Sequence, residues 1–212
     1  MSENSAVFSL SNFVGTIAAN GVAFTDRYEV TITPPNCIKA NSLYNRSNLA
    51  GLMADHCAIP GLTINNKRLQ IYGASYPRPM TMDYGGEGTM ISFILDSDMW
   101  LKGMFDFWIE SIIDGNNALV AYPDDPYNGY TCTINIKQLD RSDAVVYNCQ
   151  IDGAYPFIMM PIDKNNAAQG GIDRLTVGFA YRKWSNLHLP GAGVNATQPA
   201  LDGAIQITQF NQ

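Results

Sequence analysis

The stretch GTMISFILDSDMWLKGMFDFWIESIIDGNN, residues 88–117, holds the densest concentration of large apolar side chains in the chain, with neither histidine nor cysteine. Residues 90–95 form a nearly unbroken apolar run, which suits a strand covered on both faces or one with a well-buried end. The pattern then changes. Asp96, Ser97 and Asp98 offer side-chain oxygens to the start of a helix. Behind them, Leu101, Met104, Phe105, Trp108 and Ile112 recur at intervals of three and four. This spacing predicts a helix over 98–113, closed by Asp114-Gly115, with Lys102, Asp106 and Glu110 turned outward. Such an aromatic stripe lays on a sheet as ordinary core; it carries no cofactor chemistry.

Working outward, the composition supports a β-rich protein. The chain has 212 residues, 46% hydrophobic and only 15% charged, enough for one sizeable domain with appendages. Gly, Pro, Asn, Ser, Thr and Tyr are plentiful, as many-turned β proteins require. The net charge is −6 and no run of Lys or Arg occurs, so tight phosphate binding is not expected. The N-terminal residues show no secretory signal, and no apolar stretch has transmembrane length. The expectation is a soluble protein made in the cytoplasm, without membrane partners.

Before the opening stretch, Leu10, Phe13, Val14 and Ile17 fall at helical spacing over residues 8–19, and Asn20-Gly21 stops them. RYEVTITPP sets Tyr28, Val30 and Ile32 against Glu29, Thr31 and Thr33, a half-buried strand ended by a proline pair. NCIKANSLYNRSNL reads as a loop. LMADHCAIPGLTI gives a short strand or turn, and KRLQIYGASYPRPMTMDYGGEG a hairpin or extended arm. After the helix, YTCTINIKQL (130–139) and AVVYNCQIDGAYPF (144–157) are strands joined by DRSD. In IDRLTVGFAYRKW, the last strong strand, Leu175, Val177, Phe179 and Tyr181 alternate with Thr176, Gly178, Ala180 and Arg182. From Ser185 the chain turns to Pro, Gly, Asn and Ala, with AIQITQF a possible late strand.

Reactive groups are sparse. His56 and His188 are the two histidines, and Cys37, Cys57, Cys132 and Cys149 are widely spaced, which argues for reduced thiols rather than a zinc or redox site. Asp55-His56-Cys57 could suggest a cysteine nucleophile, but neighbours on a strand point to opposite faces. Asp96 and Asp98 lack the further ligands of a calcium loop, and Asp124-Asp125 suits a solvated turn. Residues 85–88, GGEG, lack the strand–turn–helix setting of a phosphate loop. The sequons at Asn45 and Asn195 would matter only in a secreted chain. A β-rich domain with so little concentrated chemistry and with Tyr, Met and Pro in a long arm is suited to assembly. Arms of that kind can extend a neighbour's sheet by backbone pairing.

In order along the chain, DRYEVTITPP, MADHCAIPGLTI, QIYGASYPRPM, FILDSDMWLKGMFDFWIESI, CQIDGAYPFIM and DRLTVGFAYRKW resemble the tail tube protein family of contractile-tailed bacteriophages, including related baseplate tube initiators. The resemblance covers residues 26–184, between an N-terminal extension (1–25) with a short amphipathic helix and a C-terminal tail (185–212). It implies a mainly β subunit, a β-sandwich or barrel-like tube fold with one flanking α-helix. Six such subunits would form a ring with a continuous inner β-barrel. It implies a structural virion protein rather than an enzyme, with no cofactor or metal. Partners would be itself, the tail sheath, and baseplate and tape-measure proteins. DNA would cross the lumen without specific binding. The protein would reside in the virion tail, after assembly in the host cytoplasm. The first reading is the major tube subunit and the alternative a baseplate initiator. A tube protein of a bacterial secretion or toxin-delivery particle is a third, and a Cys57-dependent enzyme a distant last. Ring-stacking contacts would fall to the arm at Tyr72, Tyr76, Pro77, Arg78, Pro79 and Met80 and to loop 41–50. Glu29, Thr31 and Thr33 would be lumen candidates.

Overall fold

The computed structural model describes residues 10–41, 46–85, 88–115, 118–164 and 171–187. The expected AIQITQF strand, His188, Asn45 and the Asn195 sequon lie outside them. The order is α1 (Leu10–Asn20), β1 (Tyr28–Thr33), α2 (Asn36–Lys39), a 3-10 helix (Ser47–Met53), β2 (Ala54–Cys57), β3 (Thr63–Ile71), β4 (Ala74–Asp83), β5 (Thr89–Ile94), α3 (Trp100–Ile112), β6 (Cys132–Leu139), β7 (Val145–Met159), β8 (Arg174–Ala180) and β9 (Lys183–Asn186).

Alternating strands bury their one apolar side, here by curling around it. Antiparallel pairing runs β1-β6-β7-β8-β5-β2, with β9 also on β7. The 15-residue β7 is the common member. Its first part pairs β6 and β9, and from Tyr155 it pairs β8. The exchange of partner falls beside Gly153, at φ 63, a backbone conformation that glycine adopts without steric cost. The two ends of the strand order then meet. Tyr28 Oη donates to the Asp55 carbonyl at 2.6 Å, linking β1 to β2. Gly51 of the 3-10 helix lies so near β1 that a Cβ there would sit 2.3 Å from the Val30 carbonyl oxygen. The result is a barrel-like shell, seamed by a hydroxyl and a helical turn in place of a strand ladder.

Inside it, Val30, Ile32, Ile134, Ile136, Ile151, Leu175, Val177 and Phe179 are buried together with Leu101, Met104, Phe105 and Trp108 of α3. Ile112, at the end of the helix, is partly buried against this core. Phe105 stacks on Trp108 with centroids 5.8 Å apart and meets Phe93 of β5 at 5.3 Å. Trp108 also meets Phe179 of β8 edge-on at 6.2 Å and donates its Nε1–H to the Tyr130 carbonyl at 2.8 Å. Large rings bury the most apolar area, and the indole N–H keeps a partner. On the outer side of α3, Lys102 bonds Asp106 one turn on, at 2.6 Å to Oδ2.

Several local expectations are corrected. The helix begins at Trp100, not at residue 98, and Asp96, Ser97 and Asp98 do not cap it: the cap position is Met99, at φ 52 with no side-chain bond. Asp96 instead closes a turn, accepting Ser97 N–H on its carboxylate and Met99 N–H on its carbonyl. At the other end Ile113 goes extended and bridges Val120, so Asp114-Gly115 opens a loop after the helix has ended at Ile112. The segment expected as a loop, residues 36–49, contains α2 and the start of the 3-10 helix, because Ile38 and the adjoining Ala50 are apolar anchors fully buried beneath them. The expected single last strand is two. Arg182 N–H donates to the Asp152 carbonyl at 3.1 Å where β8 turns into β9. Gly178, which alternates with the apolar face, is buried too, because its missing side chain makes room for Ile158, Phe157 and Met90.

Candidate functional site

Two surfaces stand apart from the core. The first is the polar face of β1, β6, β7 and β9. Glu29, Thr31 and Thr33 are exposed there, alternating with buried Val30 and Ile32. The pairing register sets them opposite Lys137, Asn135 and Thr133, and β7 continues the same row with Asn148 and Gln150. Glu29 forms an ion pair with Lys137 at 3.2 Å and accepts the Thr31 hydroxyl at 3.3 Å. Asp152, which accepts Gln150 Nε2 at 2.7 Å, is registered against Lys183. The face is therefore polar and charge-balanced, although the chain as a whole is acidic.

The second is the arm, β3 and β4, a two-stranded ribbon that pairs with no other strand. Every residue of β4 is exposed. Tyr72 and Gly73 form its two-residue tip, with φ 50 and 88. Both signs fit the tight turn that right-twisted strands require, but tyrosine adopts that conformation rarely. Tyr72 is fully exposed, and Tyr76 lies opposite Leu69. Pro77 pairs Arg68, Arg78 pairs Lys67, and Pro79 pairs Asn66. Met80 is the extra residue of a bulge and is exposed. The ribbon's root is fixed from the β8–β9 corner, where Tyr181 Oη donates to the Tyr84 carbonyl at 2.5 Å and Trp184 Nε1 to the Gly61 carbonyl at 3.0 Å. Between them opens a cleft of about 440 Å³ lined by Asn65, Thr81, Tyr84, Gly85, Tyr181 and Arg182.

Sequence reasoning missed Tyr181 and Trp184 as anchors of the arm, because nothing in their spacing marks a long-range bond. It also passed over Lys67 and Arg68, which the pairing register alone places beside Arg78. In loop 41–50, Ser47 and Ala50 are buried and Leu49 is exposed, while residues 42–45 lie outside the described part.

The reactive groups do not converge. Cys37, Cys132 and Cys149 are buried and Cys57 is half-buried, all as free thiols. Burial pushes the Cys57 thiol up, and Cys149 up to about 11, the opposite of nucleophile activation. Among the described residues no group of three His, Cys, Asp or Glu is placed to hold a metal, and no helix is long and apolar enough to cross a membrane. Asp125 accepts the Tyr127 and Asn128 amides, which holds its carboxyl below the usual range. It serves as a turn residue.

Known proteins share this architecture. Two chains of an extracellular contractile injection system, from its sheath–tube complex and its sheath/tube terminator in the extended state, superpose with TM-scores of 0.52 at 12% and 11% identity. These alignments cover 82% and 78% of this chain and 97% and 96% of those chains. A chain of the anti-feeding prophage baseplate gives 0.51 at 10% identity, covering 82% of this chain and 97% of that one. At such identities the likeness is one of fold. No curated protein matches the sequence. The family model for phage tail tube protein matches residues 23–187, which takes in every described strand and α3, and the chain accordingly belongs to the phage tail tube protein family.

Proposed function

We propose that this chain is the major tail tube subunit of a contractile tail, in which residues 26–184 form hexameric rings that stack into the conduit for DNA. The observation that carries the reading is the division of its surface. A barrel-like shell presents one charge-balanced polar sheet face, while a separately anchored ribbon projects from the shell. Assigned to the lumen, Glu29, Thr31 and Thr33 would offer passing phosphates hydroxyls and a neutralised carboxylate, so DNA would be neither held nor strongly repelled. Assigned to stacking, the arm would reach the next ring. The sheath would cover the outside, and baseplate and tape-measure proteins would meet the ends. The protein would act in the virion tail after assembly in the host cytoplasm, as a structural component without catalysis.

A second reading, a baseplate protein forming one ring that starts the tube, is favoured by α1. Its apolar side, Leu10, Phe13, Val14 and Ile17, is exposed and lies before the family-matched region. Copy number separates the two. Quantitative mass spectrometry of purified particles should find as many copies as of sheath protein for a major subunit, and about one ring's worth for an initiator. Absence from particles would undo both. Deleting residues 76–82 should leave a folded subunit that cannot stack; tubes formed without them would remove the stacking role. Truncation after Trp184 should impair tube or sheath contacts, and normal tails would count against that. Unchanged assembly and infectivity in Cys57→Ser would dispose of a cysteine enzyme.

A further inference from the structure

Charge is distributed unevenly between arm and shell. Residues 63–83 carry Lys67, Arg68 and Arg78 against Asp83 alone, a net +2 within a chain of net −6, which leaves −8 on the rest. Outside the arm, six of ten cations, Arg27, Lys102, Lys137, Lys164, Arg174 and Arg182, pair with a carboxylate among the described residues, and Lys39, Arg46, Arg141 and Lys183 do not. Among the described residues, none of the arm's three cations does. Lys67 and Arg78 stand directly opposite each other across the ribbon, with Arg68 adjacent. Like charges placed so destabilise a strand pair, and a ribbon of two strands has little stability to spare.

Backbone pairing cannot be the main use of the outer side of β4. Pro77 and Pro79 lack amide hydrogens at alternate positions, and amides two residues apart point to the same side of a strand. An incoming strand would find donors missing there. Contact along that edge falls to side chains, and Arg78, between the two prolines with Lys67 opposite it, is a cation. The shell also carries exposed carboxylates, Asp98 and Glu110 among them, that form no ion pair among the described residues.

We infer that the Lys67, Arg68 and Arg78 cluster docks the arm on carboxylates of a second copy of this chain, so that the arm is an electrostatic latch completed only on assembly. This rests on the tube reading and specifies its partner and chemistry. It implies that association weakens with ionic strength, since exposed ion pairs are screened within about 10 Å at 0.1 M salt.

The test uses the full chain, free of nucleic acid, assembled from a mixture of isotopically light and heavy copies. A zero-length carbodiimide should join Lys67 to an Asp or Glu of another copy, and the product should disappear in high salt. The triple variant K67Q/R68Q/R78Q should keep the wild-type circular dichroism and unfold at a midpoint no lower than wild type, since it removes the facing like charges. It should raise the concentration needed for assembly by at least about tenfold at low salt, with a flattened salt dependence. Variant tubes that form like wild type, or Lys67 products confined to one copy, overturn the latch alone. So does a variant that assembles normally but loses affinity for duplex DNA, which would assign the cations to nucleic acid. A wild-type chain that forms no ordered assembly overturns latch and tube reading together.

Discussion

Trp108 is held on three sides by Phe105, Phe179 and the Tyr130 carbonyl, and only 1% of it is exposed. Trp108→Ala removes the ring and leaves a cavity that a closed shell cannot collapse, so a loss of roughly 3–5 kcal/mol is expected. Urea unfolding followed by circular dichroism measures it; a change below about 1 kcal/mol would show that the ring is not central to the core. Gly51 gives the opposite kind of test. A Cβ there meets main-chain atoms of Val30, which cannot rotate aside. Gly51→Ala should therefore lower stability by roughly 1–3 kcal/mol through overpacking at the seam, with the unfolding slope unchanged. A neutral result would mean that the 3-10 helix can lift away from β1.

Among the elements, the β6–β7 turn makes its own prediction. Asp140 accepts the Ser142 hydroxyl and the Ser142 and Ala144 amides, which holds its carboxyl below the usual carboxylate range. A carboxyl depressed in the folded state stabilises it fully above its unfolded value, near pH 3.9, and loses that contribution as pH falls through the folded value. Asp140→Ala should thus be less stable than wild type at pH 7, with the gap narrowing in strong acid. A gap that is constant from pH 7 to pH 2 would rule out the carboxylate as the cause.

The elements that were legible in the sequence are those whose signal is local. Strands β1, β6 and β7 declare themselves by alternation, and α3 by its three-and-four spacing, because one face of each meets the core. What stayed hidden depended on distant partners. Asp96 and Asp98 have the chemistry of caps, yet the backbone at Met99 turns left-handed and gives Asp96 to a turn. Asn36–Lys39 and Ser47–Met53 have weak helical periodicity and fold into short helices around Ile38 and Ala50, whose burial is tertiary. The arm was legible as a hairpin, but its cation cluster needed the cross-strand register, and its anchors Tyr181 and Trp184 act across about a hundred residues or more.

For the whole molecule, the long strand β7 belongs to both parts of the shell: one end pairs β6 and β9, the other β8. If β7 leaves, the two parts lose the strand that joins them, and β9 loses its pairing. Thermal unfolding of the unassembled subunit should accordingly be a single transition, with calorimetric and van't Hoff enthalpies equal. Two resolved transitions in the shell would show that the halves fold apart. A conduit made of many identical members fails at its weakest one, and a subunit that could enter it half-formed would be a leak waiting in the wall. In the proposed conduit, sharing one strand between both halves would make foldedness all-or-none, so that a faulty copy would be turned away before assembly and never built in.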